Sequence, residues 1–249
     1  MYQRYLITVQ PVEATLPLPL SPDDGRRVAF MVGKVRVIID TPDAPPTPAL
    51  RVATHELPAH LVITEGDIVA MDTPGWPQSG TYNQLIVSGD GDIRLHNDTF
   101  GLRACFFAQE EGILRVSNSL RLLRAAAGLA WDELGIAQMY LFGGYTATER
   151  TILRGAQRAA AGTEYRFRIG QEGPPAVARL ARTWTTVIDD RLDHIVETIC
   201  DLWTTAAARH IDPVDTPIGI MLSGGLDSRL VAGAVASRGK RILGLTFGD

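Results

Sequence analysis

The stretch Ile218-Gly-Ile-Met221-Leu-Ser223-Gly224-Gly225-Leu226-Asp227-Ser228-Arg229 combines residue types and a spacing that could do chemistry. A short apolar run reads as a buried strand that delivers a Ser-Gly-Gly turn to the start of a helix. Glycines let backbone amides approach an anion closely, and a helix N-terminus adds positive potential. Ser223 and Ser228 offer hydroxyl donors to phosphate oxygens. A carboxylate at Asp227 would repel phosphate unless a Mg²⁺ ion bridges them. No lysine stands in the loop, so it is not the Gly-Lys-Ser/Thr loop of nucleoside triphosphatases. The arrangement suits the grip of pyrophosphate in reactions that split ATP into AMP and pyrophosphate. The bland alternative is an ordinary glycine-rich turn, and six matched residues between a strand and a helix weigh against it.

The elements around this loop change character along the chain. Up to about residue 120 the signals are mostly strand. Residues 28–40 are rich in β-branched residues, with a bulge or turn at Gly33. Residues 85–95 read as a hairpin, and residues 104–109 with 113–117 as another. Residues 42–48 are a proline-rich loop. Helices are expected over residues 119–127 and 131–142, the second opened by Asp132 and Glu133 and stopped by Gly143-Gly144. Residues 163–169 alternate as a strand.

Beyond residue 180 the period changes. Ile188, Leu192, Ile195, Val196, Ile199, Leu202, Trp203 and Ala206 form one stripe of a long amphipathic helix, ended by Pro213 and Pro217. Then come a strand at 218–222, a helix at 229–237 closed by Gly239, and a strand at 241–247. That order is a βαβ unit, the building block of a parallel sheet. We expect an α/β chain of two domains, residues 1–180 and 181–249.

The chain has 249 residues, 24 Lys+Arg, 28 Asp+Glu and a net charge of −4, which argues against nucleic acid as a partner of the surface. No apolar run is long enough for a membrane span, and the first twenty residues lack a secretory h-region. A cytoplasmic location is therefore expected. Cys105 and Cys200 form no CxxC pair, so both read as core residues rather than metal ligands or nucleophiles. The five histidines are scattered and read as surface or capping residues. Lys240 reads as a solvated loop residue, as do Arg154 and Arg158, and Asp212 and Asp215 read as turn residues.

Ser-Gly-Gly-Leu-Asp-Ser resembles the pyrophosphate loop of the asparagine synthetase family. Upstream residues agree over about residues 90–249. Asp98-Thr-Phe-Gly101-Leu-Arg103 with Phe106-Phe107-Ala108 resembles the end of that family's glutaminase-like domain core. Val116-Ser117 with Leu120–Leu123 after it resembles its Ala-Ser-Glu segment, with Asn118 where Glu is usual. Trp131–Tyr145, Arg150–Gly155 and Ala161-Gly162-Thr163 resemble its next helix, turn and last strand entry. Leu245-Thr-Phe-Gly248 resembles the strand whose end lies near the adenine.

The resemblance implies a glutaminase-like αββα sandwich at residues 1–180. It implies the first portion of a parallel-sheet pyrophosphate-loop (adenine-nucleotide α-hydrolase-like) domain at residues 181–249. It implies ATP and Mg²⁺ as cofactors. Ser223, Gly224, Gly225, Leu226, Asp227 and Ser228 would hold ATP phosphates, with Asp227 on Mg²⁺. Met221 and Phe247 would lie near the adenosine. The implied reaction adenylates a small-molecule or peptide carboxylate, after which an amine donor attacks to give an amide, AMP and pyrophosphate.

Two departures modify this expectation. The family's glutaminase nucleophile is a cysteine directly after the initiator Met, with its free α-amine as base. Here that position is Tyr2, and the glutamine-holding Asn-Gly-Glu segment is not visible, since Tyr82-Asn83-Gln84 is no substitute. Glutamine hydrolysis is therefore not expected. Members without the cysteine close β-lactam rings or cyclise lasso peptides, and the loss tilts the reading toward such amide or lactam formation. Second, the sequence ends one strand past the loop, so a partner chain or a further C-terminal half is expected to complete the sheet.

Two other readings compete. A pyrophosphate-loop sulfurtransferase or NAD synthetase fits poorly with the upstream region and the absence of paired catalytic cysteines. A non-catalytic domain that binds nucleotide, leader peptide or partner is favoured by Tyr2.

Overall fold

The computed structural model describes residues 4–14, 26–41, 50–55, 60–73, 76–179 and 191–246. It is mixed α/β, and the chain divides into two compact units, Met1–Ala181 and Arg182–Asp249.

The first unit is built on two antiparallel sheets of six strands. One has the order β10-β8-β9-β1-β3-β2 and the other β12-β11-β7-β6-β5-β4. The first contains β1 (Leu6–Pro11), β2 (Arg26–Val32), β3 (Val35–Thr41), β8 (Phe106–Glu110), β9 (Ile113–Ser117) and β10 (Ala156–Arg158). The second contains β4 (Leu50–His55), β5 (His60–Thr73), β6 (Trp76–Ser88), β7 (Asp92–Asn97), β11 (Thr163–Arg168) and β12 (Ala176–Arg179). The run expected at residues 28–40 is a hairpin, with Gly33 at φ +56° in its turn.

Alternation sends one side chain in two to a shared interior. Ile7, Val9, Val37 and Ile39 of one sheet pack in a single cluster with Ile63, Leu85, Val87 and Leu95 of the other. Burial of each such side chain is worth about 1.5–3 kcal/mol. Leu6 of β1 and Ala108 of β8 point the other way. The outer face of these strands meets Leu122, Leu123 and Ala126 of α1 (Leu120–Ala127). The Ser119 side chain caps that helix and Gly128, at φ +64°, ends it. A second helix, α2 (Glu133–Leu141), starts at Asp132, whose side chain accepts from Gly135 N at 3.0 Å. The described residues thus show two stacked sheets with α1 packed on the outer face of the first. The outer face of the second sheet carries a buried polar row, Thr64, Gln84, His96 and Glu164, in register across four strands.

This row corrects the surface reading of His96. The ring is 2% exposed, with Nε2 3.0 Å from Glu164 Oε2. Burial pushes its pKa down to about 4, aided by Arg94 and Arg166 and opposed by Glu164. The unfolded chain binds this proton near pH 6.5 and the folded chain only near pH 4. The contribution to stability is therefore whole above about pH 6.5 and is lost as pH falls toward 4, by about 3 kcal/mol. Urea unfolding at both ends of that window should show this loss in the wild type and a smaller one in His96→Gln. Equal losses would remove His96 as the cause.

The second unit contains α3 (Leu192–Ile211), β13 (Ile218–Met221), α4 (Leu226–Ser237) and β14 (Ile242–Leu245). β13 and β14 pair in parallel, Ile218 opposite Ile242. A small core gathers Ile211, Ile220 and Val235. Ile188 of the expected stripe lies outside the described residues; the rest of the stripe lies on α3, where Leu192, Val196, Ile199 and Leu202 are exposed. Cys200 is exposed too, which corrects its reading as a core residue. Lys240 is not simply solvated. Its Nζ donates to the carbonyls of Asp212 at 3.0 Å and Val214 at 2.8 Å, just past the end of α3. Asp212, read as a turn residue, caps α3 and accepts from Arg238 Nε at 2.7 Å.

Candidate functional site

The Ser-Gly-Gly segment leaves the end of β13 and enters α4 directly. α4 starts at Leu226, three residues before the helix expected from the pattern. Leu226, Asp227 and Ser228 therefore form its first turn rather than a turn ahead of it. The cap is Gly225, and no side chain caps the helix. The first-turn amides are left for an external acceptor.

Two serines shape the loop from opposite ends. Ser223 Oγ and Ser228 Oγ lie 3.1 Å apart. Ser223 N donates to Ser228 Oγ at 3.2 Å, and Gly225 N donates to Ser223 Oγ at 3.2 Å. The Ser228 hydroxyl has Ser223 O at 3.0 Å and Gly225 O at 3.3 Å as acceptors. Arg229 Nε donates to Gly225 O at 3.3 Å. These bonds curl the backbone into a shallow cradle that is exposed apart from half-buried Leu222 and Ser228.

Neither Gly224 nor Gly225 has a positive φ, so the backbone does not require glycine. A Cβ on Gly224 would meet nothing within 4 Å. No contact inside the chain explains its absence.

Asp227 is exposed in the first turn of α4. Among the described residues, no three His, Cys, Asp or Glu side chains converge on a common point. A single carboxylate is too few to hold magnesium alone and would suit only an ion that arrives with phosphate oxygens and water in its shell. Met221 is exposed at the end of β13, next to the loop. Phe247 and Tyr2 lie outside the described residues.

Pattern reading did not find the first unit's buried polar centre. Glu65 is 4% exposed between the sheets. Its Oε2 accepts from Tyr5 Oη at 3.0 Å and Asn83 Nδ2 at 2.8 Å. Its Oε1 accepts from Asn118 Nδ2 at 3.2 Å, with Arg103 Nη1 at 3.7 Å. Tyr5 N donates to Asn118 Oδ1 at 3.1 Å, and Asn97 Nδ2 donates to Asn83 Oδ1 at 2.6 Å. Asn118, where the resembled family has Glu, thus supplies the amide that a second carboxylate could not. The void beside Tyr5, Glu65 and Asn83 is about 10 Å³. That is about the minimum for one water and far below a glutamine. Burial and then Glu65 push the Cys105 thiol upward, and burial raises Tyr5 as well. Cys105 thus stays a protonated core thiol.

Among the described residues, no helix is long and apolar enough to cross a membrane. Neither a family model nor a curated protein matches the chain.

Proposed function

We propose that the chain is an ATP-dependent, AMP-forming amide synthetase of the asparagine synthase type, without glutaminase activity of its own. In this reading the first unit is a glutaminase-like sandwich that has lost its catalysis. The second is a pyrophosphate-loop nucleotide-binding unit. The observation that carries the reading is the loop Ser223–Ser228. It joins an uncapped helix start, two adjacent hydroxyls and a glycine whose missing Cβ no internal contact explains.

The chemistry proceeds in two displacements. A carboxylate oxygen of the substrate attacks the α-phosphorus of ATP. The bond to the α–β bridging oxygen breaks, and pyrophosphate leaves into the cradle. An amine then attacks the activated acyl carbon, AMP departs with the electron pair, and the nitrogen loses a proton. The α4 amides and the Ser223 and Ser228 hydroxyls hold the leaving pyrophosphate, and Asp227 orients its counter-ion. Magnesium, when bound, withdraws charge from the phosphates.

Tyr2, in place of a nucleophile, and the filled end around Glu65 favour an amine that comes with the substrate. β-Lactam or lasso-peptide macrolactam closure has that property. A non-catalytic nucleotide-binding role is separated by product analysis. ATP–Mg²⁺ binding with AMP release on addition of a carboxylate supports the synthetase. Binding without AMP release for any carboxylate supports the non-catalytic role, and no binding rejects both.

Gly224→Ala is the cleanest local probe. The new methyl enters open space at an ordinary φ, so stability should stay within about 0.5 kcal/mol of wild type. ATP affinity should fall tenfold or more, read by equilibrium dialysis. Unchanged affinity would mean no ligand approaches that face.

A further inference from the structure

A cavity of about 490 Å³ opens in the first unit beside the β8–β9 turn. The strand register puts this turn at the far end of the sandwich from Tyr5 and Glu65. The cavity is lined by residues from both sheets and by the loop between β11 and β12. Its floor is apolar. Phe107 and Phe167 meet edge to face there, with centroids 5.3 Å apart, and both are buried. The charged residues of its lining are all carboxylates, Glu110, Glu111 and Glu172. Gln109 braces the wall by donating to Gln171 O at 2.6 Å. Arg115 is drawn toward Glu110 and Glu111, but it does not line the cavity.

Three features fix the class of ligand. A lining of one charge sign focuses the field and concentrates the opposite charge. The carboxylates do not converge, because no metal-holding trio exists among the described residues. A compact divalent ion is therefore the wrong shape, while a spread organic cation matches. The volume lies in the range of small-ligand pockets, about 300–1,000 Å³, and the phenylalanine floor suits an aliphatic stem.

We propose that this cavity binds an organic cation, an ammonium or guanidinium head on an aliphatic stem. The carboxylate rim takes the head, and Pro174 with the accessible edges of Phe107 and Phe167 takes the stem. This site is separate from the loop of the second unit and stands independently of the synthetase reading.

Agmatine, with one guanidinium and one ammonium on a four-carbon stem, is the probe. Calorimetric titration of the whole chain at low salt should show saturable single-site binding, with Kd on the order of 100 µM. Salt at roughly 0.5 M should weaken it, because the carboxylates are exposed. Glu111→Gln with Glu172→Gln should weaken it at least tenfold at unchanged thermal stability. Glu172→Gln alone, at an exposed loop position, should weaken it severalfold should the double variant fold poorly. Amide shifts at Gly155 and Gly173 should move on titration. Absence of saturation by roughly 10 mM, equal affinity in the variants, or shifts confined to other residues would each overturn the proposal.

Discussion

Glu65→Leu should lower the stability of the first unit by about 3–5 kcal/mol, a fall of roughly 10 °C in Tm. The substitution strands three donors in a buried interior, the Tyr5 hydroxyl and the amides of Asn83 and Asn118. Each orphaned buried donor costs about 1–3 kcal/mol, and the leucine's own burial returns part of that. Glu65→Gln keeps the shape and one carbonyl acceptor but turns an NH₂ toward a donor. It should therefore fall between wild type and Glu65→Leu. Thermal unfolding tracked by circular dichroism reads the order directly. A Glu65→Leu protein within about 1 kcal/mol of wild type would show that the cluster is decoration, and the argument for a filled interior would weaken with it.

Asp227→Ala should abolish the magnesium dependence of ATP binding. In the wild type, magnesium should tighten ATP by tenfold or more, about 1.4 kcal/mol, because the ion converts a repulsive carboxylate into a ligand. In the variant the two conditions should give the same affinity. Without magnesium the order reverses, and the variant should bind ATP at least as well as wild type, since a negative charge has left the cradle. The fold should barely respond. Asp227 is exposed, and its contribution at the α4 N-terminus is below about 1 kcal/mol. A variant that retains wild-type magnesium dependence would disprove the role assigned to Asp227 and with it the reading of the loop.

Turns and caps are legible in the sequence because their chemistry is local. Gly33, Gly91 and Gly112 mark hairpin turns because each adopts a positive φ in its turn. Ser119 and Asp132 announce helix starts because their side chains accept hydrogen bonds from amides three residues on. The start of α4 lies three residues ahead of its expected place. Leu226-Asp227-Ser228 looks like a continuation of the glycine turn, whereas Gly225 serves as the cap without a side chain to advertise it. The 14 residues of β5 escape pattern reading because Glu65-Gly66-Asp67 splits its apolar residues into two short runs. The Glu65 cluster is invisible for a different reason. Glu65 and Asn83 are direct neighbours only through the β5–β6 register, and Asn118 and Tyr5 arrive from the opposite sheet. No window of sequence holds that information. The exposed α3 stripe shows the converse: periodicity reports a face, and whether that face is covered is decided elsewhere.

The chain has only two lysines, Lys34 and Lys240. Lys34 stands exposed in the β2–β3 turn, while the ammonium of Lys240 is held by two carbonyls. Amine-directed labelling therefore has a built-in ratio. Lys34 should react at the pace of a free side chain, and Lys240 only when the clamp at the end of α3 lets go. The relative yield at the two sites reads local opening of the second unit against an internal standard in the first, without a tag or a probe being introduced.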